Sequence, residues 1–333
     1  MEIINKLICP ETEDVIKSHW KYSDKVYISC VCIAYNHEIY IRDAIDSILA
    51  QKSEYRFELI IHDDKSTDRT REIILEYKKK FPSIIKLILQ DENQYSKCER
   101  IISLTVPYLS GEYITICEGD DFWIDNKKLQ QQIELLIKNK NINICISKAM
   151  SLHPDNSIKK FCDLGDKMKI ITFNKCILGP QKDFYPTATF FLRKTVMSNL
   201  PDWFYSIAPV GDYYIQLFAS YNQGCVYLPK ITSVYRIESI GSWSQSLNID
   251  KAILDRKSRL VCNNLMIDQF KLTSSELSSF KKRQCIYFKD LSLLHLKNKN
   301  IQEFIYNMMI GFSKEPIYYL LLIMKTIRSK LIK

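Results

Sequence analysis

The sequence predicts an α/β fold in which a mixed, mostly parallel sheet is flanked by helices and followed by a helical C-terminal region. Two observations lead to this prediction. Between residues 26 and 140, apolar strand-like runs alternate with amphipathic helical patterns, which is typical of a parallel sheet with right-handed crossovers. From about residue 250 onward the pattern is helical only.

The individual strands are indicated by short apolar runs, and the helices by apolar residues three and four positions apart. The run at 26–34 is typical of a strand covered on both faces. Ser66, Thr67 and Asp68 offer N-caps for the helix that follows the second strand. In chain order we expect strands at 26–34, 57–62, 84–89 and 112–118, helices at 40–51, 69–81 and 129–139, and a short helix within 93–109.

Composition limits the possible functions. The 333 residues are 46% hydrophobic and 26% charged, which is ordinary for a folded protein. The net charge of +9 lies mostly in residues 281–333, which contain eleven Lys and Arg against three acids. A nucleic-acid surface would need basic residues on the main folded domain, so we expect no nucleic-acid partner.

The cysteines and the N-terminus favour a cytoplasmic location. The eleven cysteines show no CxxC pair, so they do not indicate a zinc site. Residues 1–25 contain acids and no long apolar core, so no signal peptide is expected. Free thiols fit the reducing cytoplasm.

Two predicted strands end in acids. Asp63 and Asp64 follow the second strand, and Glu118, Asp120 and Asp121 follow the fourth. Carboxyl ends of parallel strands meet at one edge of a sheet, where open α/β sheets bind ligands. Carboxylates this close repel unless protons or a cation neutralise them, and their oxygens suit Mg²⁺ or Mn²⁺. The alternative is a solvated acidic turn before the next helix, capped by Asp125.

Three motifs in order resemble family 2 glycosyltransferases, in particular the bacterial members that build capsules, O-antigens and other surface polysaccharides. The motifs are residues 34–38 (AYNHE), 63–68 (DDKSTD) and 118–123 (EGDDFW). The resemblance covers about residues 26–245 and implies a GT-A fold. Its Rossmann-like half (26–125) would bind the nucleotide-sugar and its second half (126–245) the acceptor. Residues 1–25 would be an extension, and 250–333 a helical region.

The resemblance also implies the donor site. Tyr35 and one of Asp63 or Asp64 would contact the nucleotide base, since a carboxylate can accept a hydrogen bond from a ring N–H. Asp120 and Asp121 match the metal-binding pair for Mg²⁺ or Mn²⁺, with Glu118 in the first position of a DXD-like motif. The remaining expected contacts are Ala34, Asn36, Glu38, Asp120 and Arg236 with the nucleotide-sugar, and Glu238 with the metal. Many relatives carry His at the position of Glu238.

The acceptor half is expected to supply the base. Residues 185–193 are typical of a loop and a strand, and Asp212 opens a helix running to about residue 221. From local pattern alone, an Asp at a helix start is a cap. By the resemblance, Asp212 corresponds to the general base of inverting members, and Trp243 would stack on an acceptor sugar.

The C-terminal region predicts helices at 254–270, 275–297, 301–312 and 316–333. Residues 317–324 carry no charge and are followed by Lys325, Arg328, Lys330 and Lys333. The run is too short to cross a bilayer, which takes about 20 apolar residues. It predicts a basic amphipathic helix on the inner face of the cytoplasmic membrane. The alternative is a helix packed on its own domain or on a second copy.

Together, these features predict a metal-dependent inverting glycosyltransferase that adds a single sugar, from a UDP- or dTDP-sugar, to a glycan or lipid-linked acceptor. A first alternative is a metal-dependent nucleotidyltransferase. That class would show a Gly-rich loop after the first strand, and residues 34–38 contain no Gly. A second alternative is a non-catalytic nucleotide-sugar-binding module.

Overall fold

The computed structural model describes residues 4–179, 184–239 and 248–331. The strands are β1 Ile28–Ala34, β2 Phe57–Asp63, β3 Ile85–Leu89, β4 Tyr113–Ile116, β5 Phe122–Trp123, β6 Ile144–Leu152, β7 Ile158–Phe161, β8 Lys169–Ile171, β9 Phe191–Arg193 and β10 Cys225–Arg236. The helices before residue 240 are α1 Glu13–Lys17, α2 Ile41–Leu49, α3 Thr70–Lys80, α4 Ile101–Thr105, α5 Lys128–Lys138, α6 Phe173–Leu178, α7 Thr195–Ser198, α8 Asp202–Ser206 and α9 Asp212–Ser220. Four longer helices follow: α10 Ile249–Gln269, α11 Ser274–Lys297, α12 Ile301–Lys314 and α13 Pro316–Leu331.

All ten strands belong to one mixed sheet in the order β3-β2-β1-β4-β9-β6-β10-β5, with β7 paired to β6 and β8 paired to β10. The first half is parallel: β1 pairs with β2 and β4, and β2 pairs with β3. β1 and β2 are buried almost throughout, because helices cover both faces of the sheet. The predicted α/β class with a mostly parallel sheet is confirmed.

The second half joins the first through antiparallel β9, which pairs with both β4 and β6. β10 then runs parallel to β6 and antiparallel to β5. The β5 pairing sets Phe122 opposite Val234. The segment that follows the acids of β4 is therefore fixed to the last strand of the sheet.

Five strands were not predicted: β5, β6, β7, β8 and β10. β6 contains Ser147 and Lys148, which interrupt its apolar run, and β7 and β8 are short strands with exposed residues. β10 is twelve residues long. Its register shifts between Leu228 and Ile231, around Pro229, which has no N–H to donate.

The C-terminal region is helical, as predicted. α11 begins with a capping box, in which Thr273 and Glu276 each accept a backbone N–H from the other, and it packs against α6 and α10. Within the described ranges, no helix is both long enough and apolar enough to cross a membrane.

Candidate active site

The loops that follow β1 and β2 are hydrogen-bonded to each other. The backbone N–H of Asn36 donates to Ser66 Oγ at 3.0 Å, and Thr67 N donates to Asn36 Oδ1 at 2.8 Å. Glu38 Oε2 accepts the N–H of Arg69 at 3.0 Å. The side chains of Asn36 and Glu38 therefore shape the two loops. Ser66 and Thr67 bond to the first loop, not to the start of α3.

Asp68 and Tyr35 complete this region. Asp68 Oδ1 accepts the N–H of Thr70, the first residue of α3, at 2.9 Å, so only one of the three expected caps bonds at the helix start. The Tyr35 ring is 40% exposed. It is available for contact with a planar ligand beside the loops.

Asp63 and Asp64 are both buried but make different contacts. Asp64 accepts the backbone N–H groups of Gln94 and Tyr95, at 2.7 and 3.0 Å, one on each carboxylate oxygen. Asp63 Oδ2 accepts Arg71 Nε at 2.6 Å, whereas its Oδ1 has no hydrogen-bond partner among the described residues. Asp63 therefore retains the free acceptor.

Ala34 sits directly beside this pair. It is the last residue of β1, faces Asp63 in register, and its carbonyl accepts the N–H of Asp64 at 3.0 Å. Its side chain is buried. The end of β1 thus fixes where the two carboxylates lie.

The acid loop, residues 118–121, docks on the end of β1. The N–H of Gly119 donates to the carbonyl of Ile33 at 2.8 Å, and the N–H of Asp121 turns back to the carbonyl of Glu118 at 2.9 Å. A Cβ at position 119 would lie 2.7 Å from His37 Nδ1. Only glycine fits this approach.

Asp121 is buried, and one of its two carboxylate oxygens has a hydrogen-bond partner among the described residues. Its Oδ1 accepts the backbone N–H of Arg236 at 2.9 Å, while its Oδ2 is buried with no partner among the described residues. Asp120 Oδ2 accepts the hydroxyl of Ser239 at 2.5 Å. Both carboxylates are therefore held by the end of β10 and the residues just after it.

The acids destabilise each other as anions. Burial, the charge of Asp120 and the charge of Asp212 raise the pKa of Glu118 to about 8. Burial, Asp120 and Glu118 likewise raise the pKa of Asp121 well above its usual range, and Arg236 opposes this. This cluster would gain from a bound cation.

A divalent metal fits these residues if the substrate supplies part of its coordination. In the described part of the chain, no group of three or more His, Cys, Asp and Glu side chains is arranged to hold a metal by itself. Mg²⁺ is usually bound by one or two carboxylates together with substrate phosphates. The unpartnered Asp121 Oδ2 and the elevated carboxyl pKa values match that arrangement.

Arg236 fixes the acid loop by hydrogen bonds. Its Nη1 donates to the carbonyl of Asp120 at 2.5 Å, and its Nη2 pairs with the carboxylate of Asp43. The guanidinium lies between the rings of Tyr40 and Phe122, 4.9 and 4.5 Å from their centres. Arg236 is 8% exposed, and two of its three guanidinium nitrogens are bound to protein acceptors.

Asp212 is the first residue of α9, as expected. Burial raises the pKa of Asp212, while the N–H of Tyr213, Arg259 of α10 and Arg100 oppose the rise. The Arg100 side chain reaches within 3.9 Å of the Cβ position of Gly211. Asp212 is thus a half-buried carboxylate beside two cations.

Tyr235 marks where the two groups of acids meet. Burial raises the pKa of its hydroxyl, followed by the charges of Asp121, Glu118, Asp120 and Asp212. The carboxylates that follow β4 and the carboxylate of α9 therefore lie near enough to act on the same hydroxyl.

The remaining predicted site residues are Glu238 and Trp243. Glu238 is exposed, with a positive φ of 54°. Trp243 lies outside the described residues. Sequence reasoning missed Tyr235, Arg100 and Arg259. Tyr235 carried a detectable signal, since it adjoins a residue singled out in the last motif, whereas Arg259 lies in a region that reads only as helix.

Comparison with known proteins identifies the family. The sequence model of glycosyl transferase family 2 matches residues 29–198, just over half of the chain. The chain therefore belongs to that family.

One curated relative is the Escherichia coli enzyme WfgD, named UDP-Glc:alpha-D-GlcNAc-diphosphoundecaprenol beta-1,3-glucosyltransferase. The two are 32% identical over 155 residues, which is 46% of this chain and 56% of WfgD. The chain spans 60% of the length of its mycobacterial relatives. The shared region is therefore part of these proteins and not their whole length.

Two solved structures share the fold. TarS 1-349 of S. aureus, in complex with UDP-GlcNAc, aligns with a TM-score of 0.54 at 15% identity, over 87% of this chain and 92% of that chain. The mannosyltransferase PcManGT of Pyrobaculum calidifontis, in complex with GDP-Man and Mn²⁺, aligns with a TM-score of 0.55 at 12% identity, over 95% and 86%. The fold is GT-A, as the resemblance implied.

Proposed function

We propose that this chain is an inverting glycosyltransferase that moves one sugar from a nucleoside diphosphate sugar to a glycan or lipid-linked acceptor in surface polysaccharide synthesis. The observation that carries the proposal is the convergence of Glu118, Asp120 and Asp121 with Asp212 around Tyr235. A donor diphosphate and an acceptor hydroxyl need these two kinds of carboxylate side by side. Family membership and the name of WfgD support the reaction class.

The donor base would lie against Tyr35, with Asp63 as the acceptor for a ring N–H. The structure favours Asp63 over Asp64, because Asp64 already accepts a backbone N–H on each oxygen. A uracil or thymine ring presents such a donor, and a base lacking it would leave a buried carboxylate oxygen unpaired. Guanine also presents a ring N–H, and the TarS complex with UDP-GlcNAc supports UDP- and dTDP-sugars as the expected donors.

Asp121 and Asp120 would hold Mg²⁺ or Mn²⁺ together with the donor diphosphate. The bound cation would offset the charge that develops on the leaving diphosphate. The Mn²⁺ in the PcManGT complex supports a metal in this fold. The contribution of Arg236 is to fix the acid loop through its backbone N–H and its guanidinium. Glu238 remains a further predicted ligand.

Asp212 would act as the general base. Its carboxylate takes the proton of the acceptor hydroxyl while that oxygen bonds to the anomeric carbon, and the bond from this carbon to the diphosphate oxygen breaks. A single displacement inverts the anomeric centre. Arg259 and Arg100 oppose the effect of burial on the pKa of Asp212, which favours the ionised form that a base requires.

We further propose that α12 and α13 rest on an anionic membrane. Their buried sides pack together at Gly311 and Tyr319. Their other sides expose large apolar side chains at helical spacing: Ile301, Ile305, Met309 and Phe312 on α12, and Ile317, Leu320, Leu321, Met324 and Ile327 on α13. Lys325 and Arg328 border this surface. A second copy would bring like charges together, whereas anionic lipid would neutralise them.

The test of the reaction is donor turnover with Asp212→Asn. We expect kcat to fall about 10²–10⁴-fold, with UDP- or dTDP-sugar binding unchanged in a thermal shift assay. The matched control is Asp202→Asn, since Asp202 is the exposed first residue of α8. Proton NMR of the product of the wild type should show the anomeric configuration opposite to that of the donor. Retained configuration, or full activity in Asp212→Asn, would contradict the mechanism.

A further inference from the structure

An aromatic cluster that includes Tyr235 lies beside the acids, outside the proposed donor site. It consists of three rings: Phe161 lies on β7, Phe184 lies between α6 and β9, and Tyr235 lies on β10. The ring centres of Phe184 and Tyr235 are 5.1 Å apart at an interplanar angle of 89°, and those of Phe161 and Tyr235 are 5.8 Å apart and stacked at 19°. Phe161 and Phe184 are 5.2 Å apart. The three rings therefore form one contiguous surface.

Phe184 is the most exposed of the three rings. Phe161 is buried, whereas Phe184 is 42% exposed. A phenylalanine packed edge-on against a core aromatic pair leaves part of its ring in water, which is unfavourable unless a ligand covers it. The exposed ring is the outer end of a surface whose inner end is Tyr235.

The inner end of the cluster is next in sequence to a residue that holds the acid loop. Tyr235 immediately precedes Arg236, whose backbone N–H donates to Asp121 at 2.9 Å. Successive residues of a strand point to opposite faces, so Tyr235 points away from the Val234 side, where Phe122 and Met150 pack. Phe184 and Tyr235 both belong to the half of the chain that carries Asp212. They are therefore placed on the acceptor side of the acids.

We propose that Phe184 and Tyr235 form the subsite for the terminal sugar ring of the acceptor, so that the acceptor is a cyclic pyranose and not an open-chain polyol phosphate. The inference rests on the proposed glycosyltransfer. One face of a pyranose carries axial C–H groups and packs flat on an aromatic ring, and the hydroxyls at its edge stay available for hydrogen bonds. An open-chain polyol offers no such face. It would be bound through its phosphate by cations.

The experiment is saturation-transfer NMR on the full chain with UDP or dTDP and Mn²⁺ present. The probes are the octyl α- and β-pyranosides of glucose, galactose and N-acetylglucosamine, with ribitol 5-phosphate as the open-chain probe. We expect transfer from protein aromatic protons to the C–H protons of one ring face of at least one pyranoside. Phe184→Ala should weaken its binding about tenfold, and Phe184→Tyr should restore it. Tyr108→Ala is the matched control, since Tyr108 is 48% exposed and lies outside the proposed donor, acceptor and membrane sites.

The outcomes separate this inference from the proposed function. Thermal shift with UDP- and dTDP-sugars reports donor binding independently of the acceptor, and no shift for any of them would remove the proposed function itself. With donor binding intact, the subsite is refuted by equal pyranoside binding in Phe184→Ala and wild type, or by ribitol 5-phosphate that binds in a Phe184-dependent way. If Phe184→Ala changed only the affinity for the donor, Phe184 would belong to the donor site, and the inference would be overturned.

Discussion

Replacing Lys128 with methionine is expected to stabilise the protein at neutral pH, because this ammonium is buried without a counter-charge. Lys128 begins α5 and is fully buried. Its Nζ donates to Thr115 Oγ1 at 3.0 Å and lies 4.2 Å from the centre of the Trp123 ring. It forms no ion pair within the described ranges. Burial lowers the pKa of Lys128 from 10.5 to about 8.

The magnitude follows from that pKa. Keeping the ammonium charged at pH 7 lowers the free energy of unfolding by about 3 kcal/mol, at about 1.4 kcal/mol for each pH unit between the two pKa values. Methionine has a similar shape and removes this penalty. It also removes the hydrogen bond to Thr115 and the contact with the Trp123 ring, each worth about 1 kcal/mol. The net expected stabilisation at pH 7 is about 1 kcal/mol.

The pH dependence gives the sharper test. Because the folded pKa lies below the unfolded one, the unfolded chain binds more protons between about pH 8 and 10.5, so the wild type gains stability as pH rises through this window. In urea unfolding, the difference between Lys128→Met and wild type should move by about 2 kcal/mol in favour of the wild type between pH 7 and pH 10. Taking the difference cancels the cysteines and tyrosines that titrate in the same range.

A matched control is Leu129→Met, a change at the next buried position of α5 that introduces the same side chain without removing a charge. Its stability relative to wild type should not depend on pH. A constant difference between Lys128→Met and wild type from pH 7 to pH 10 would refute the reasoning. It would mean that the Trp123 ring and Thr115 fully replace water around the ammonium.

Two further predictions concern the acid loop and the C-terminal helices. Asp121→Asn should raise the melting temperature of the free protein, because it removes a buried carboxylate repelled by its neighbours. It should also abolish the Mn²⁺-dependent rise in melting temperature caused by a UDP- or dTDP-sugar. The control Asp125→Asn should have neither effect. The double variant Lys325→Glu with Arg328→Glu should no longer co-sediment with anionic liposomes. The control double variant Lys79→Glu with Lys80→Glu, on α3, should still co-sediment. Equal liposome binding by the two double variants would contradict the membrane proposal.

The parallel half of the fold could be predicted because its signals are local. Residues 28–34 and 57–63 are buried on both faces and carry continuous apolar runs, which few other structures produce. β6 and β10 were not predicted, because their polar residues are satisfied by distant partners. Ser147, for instance, hydrogen-bonds to the Thr232 hydroxyl at 2.6 Å. Nothing near Ser147 in the sequence shows that partner.

The candidate site could be outlined from sequence motifs, but its individual atoms could not be assigned. Adjacent identical residues such as Asp63 and Asp64 are equivalent in a pattern. The fold separates them by turning one carboxylate toward the backbone of residues 94 and 95 and the other toward Arg71. Arg236 shows the same limit: its position near phosphate-binding motifs suggests an anion contact, yet the fold places Asp43 against it.

The proposed donor and acceptor sides of the site depend on a single strand end. Arg236 holds Asp121 through its backbone N–H and Asp120 through its guanidinium, and the charges of both groups of acids act on the hydroxyl of its neighbour Tyr235. The first half of the chain docks the same loop through Gly119 and Ile33. The acid loop is therefore positioned jointly by the two halves, and a change at the end of β10 should alter donor binding and acceptor use together. A change confined to the loops after β1 and β2 should affect donor binding alone.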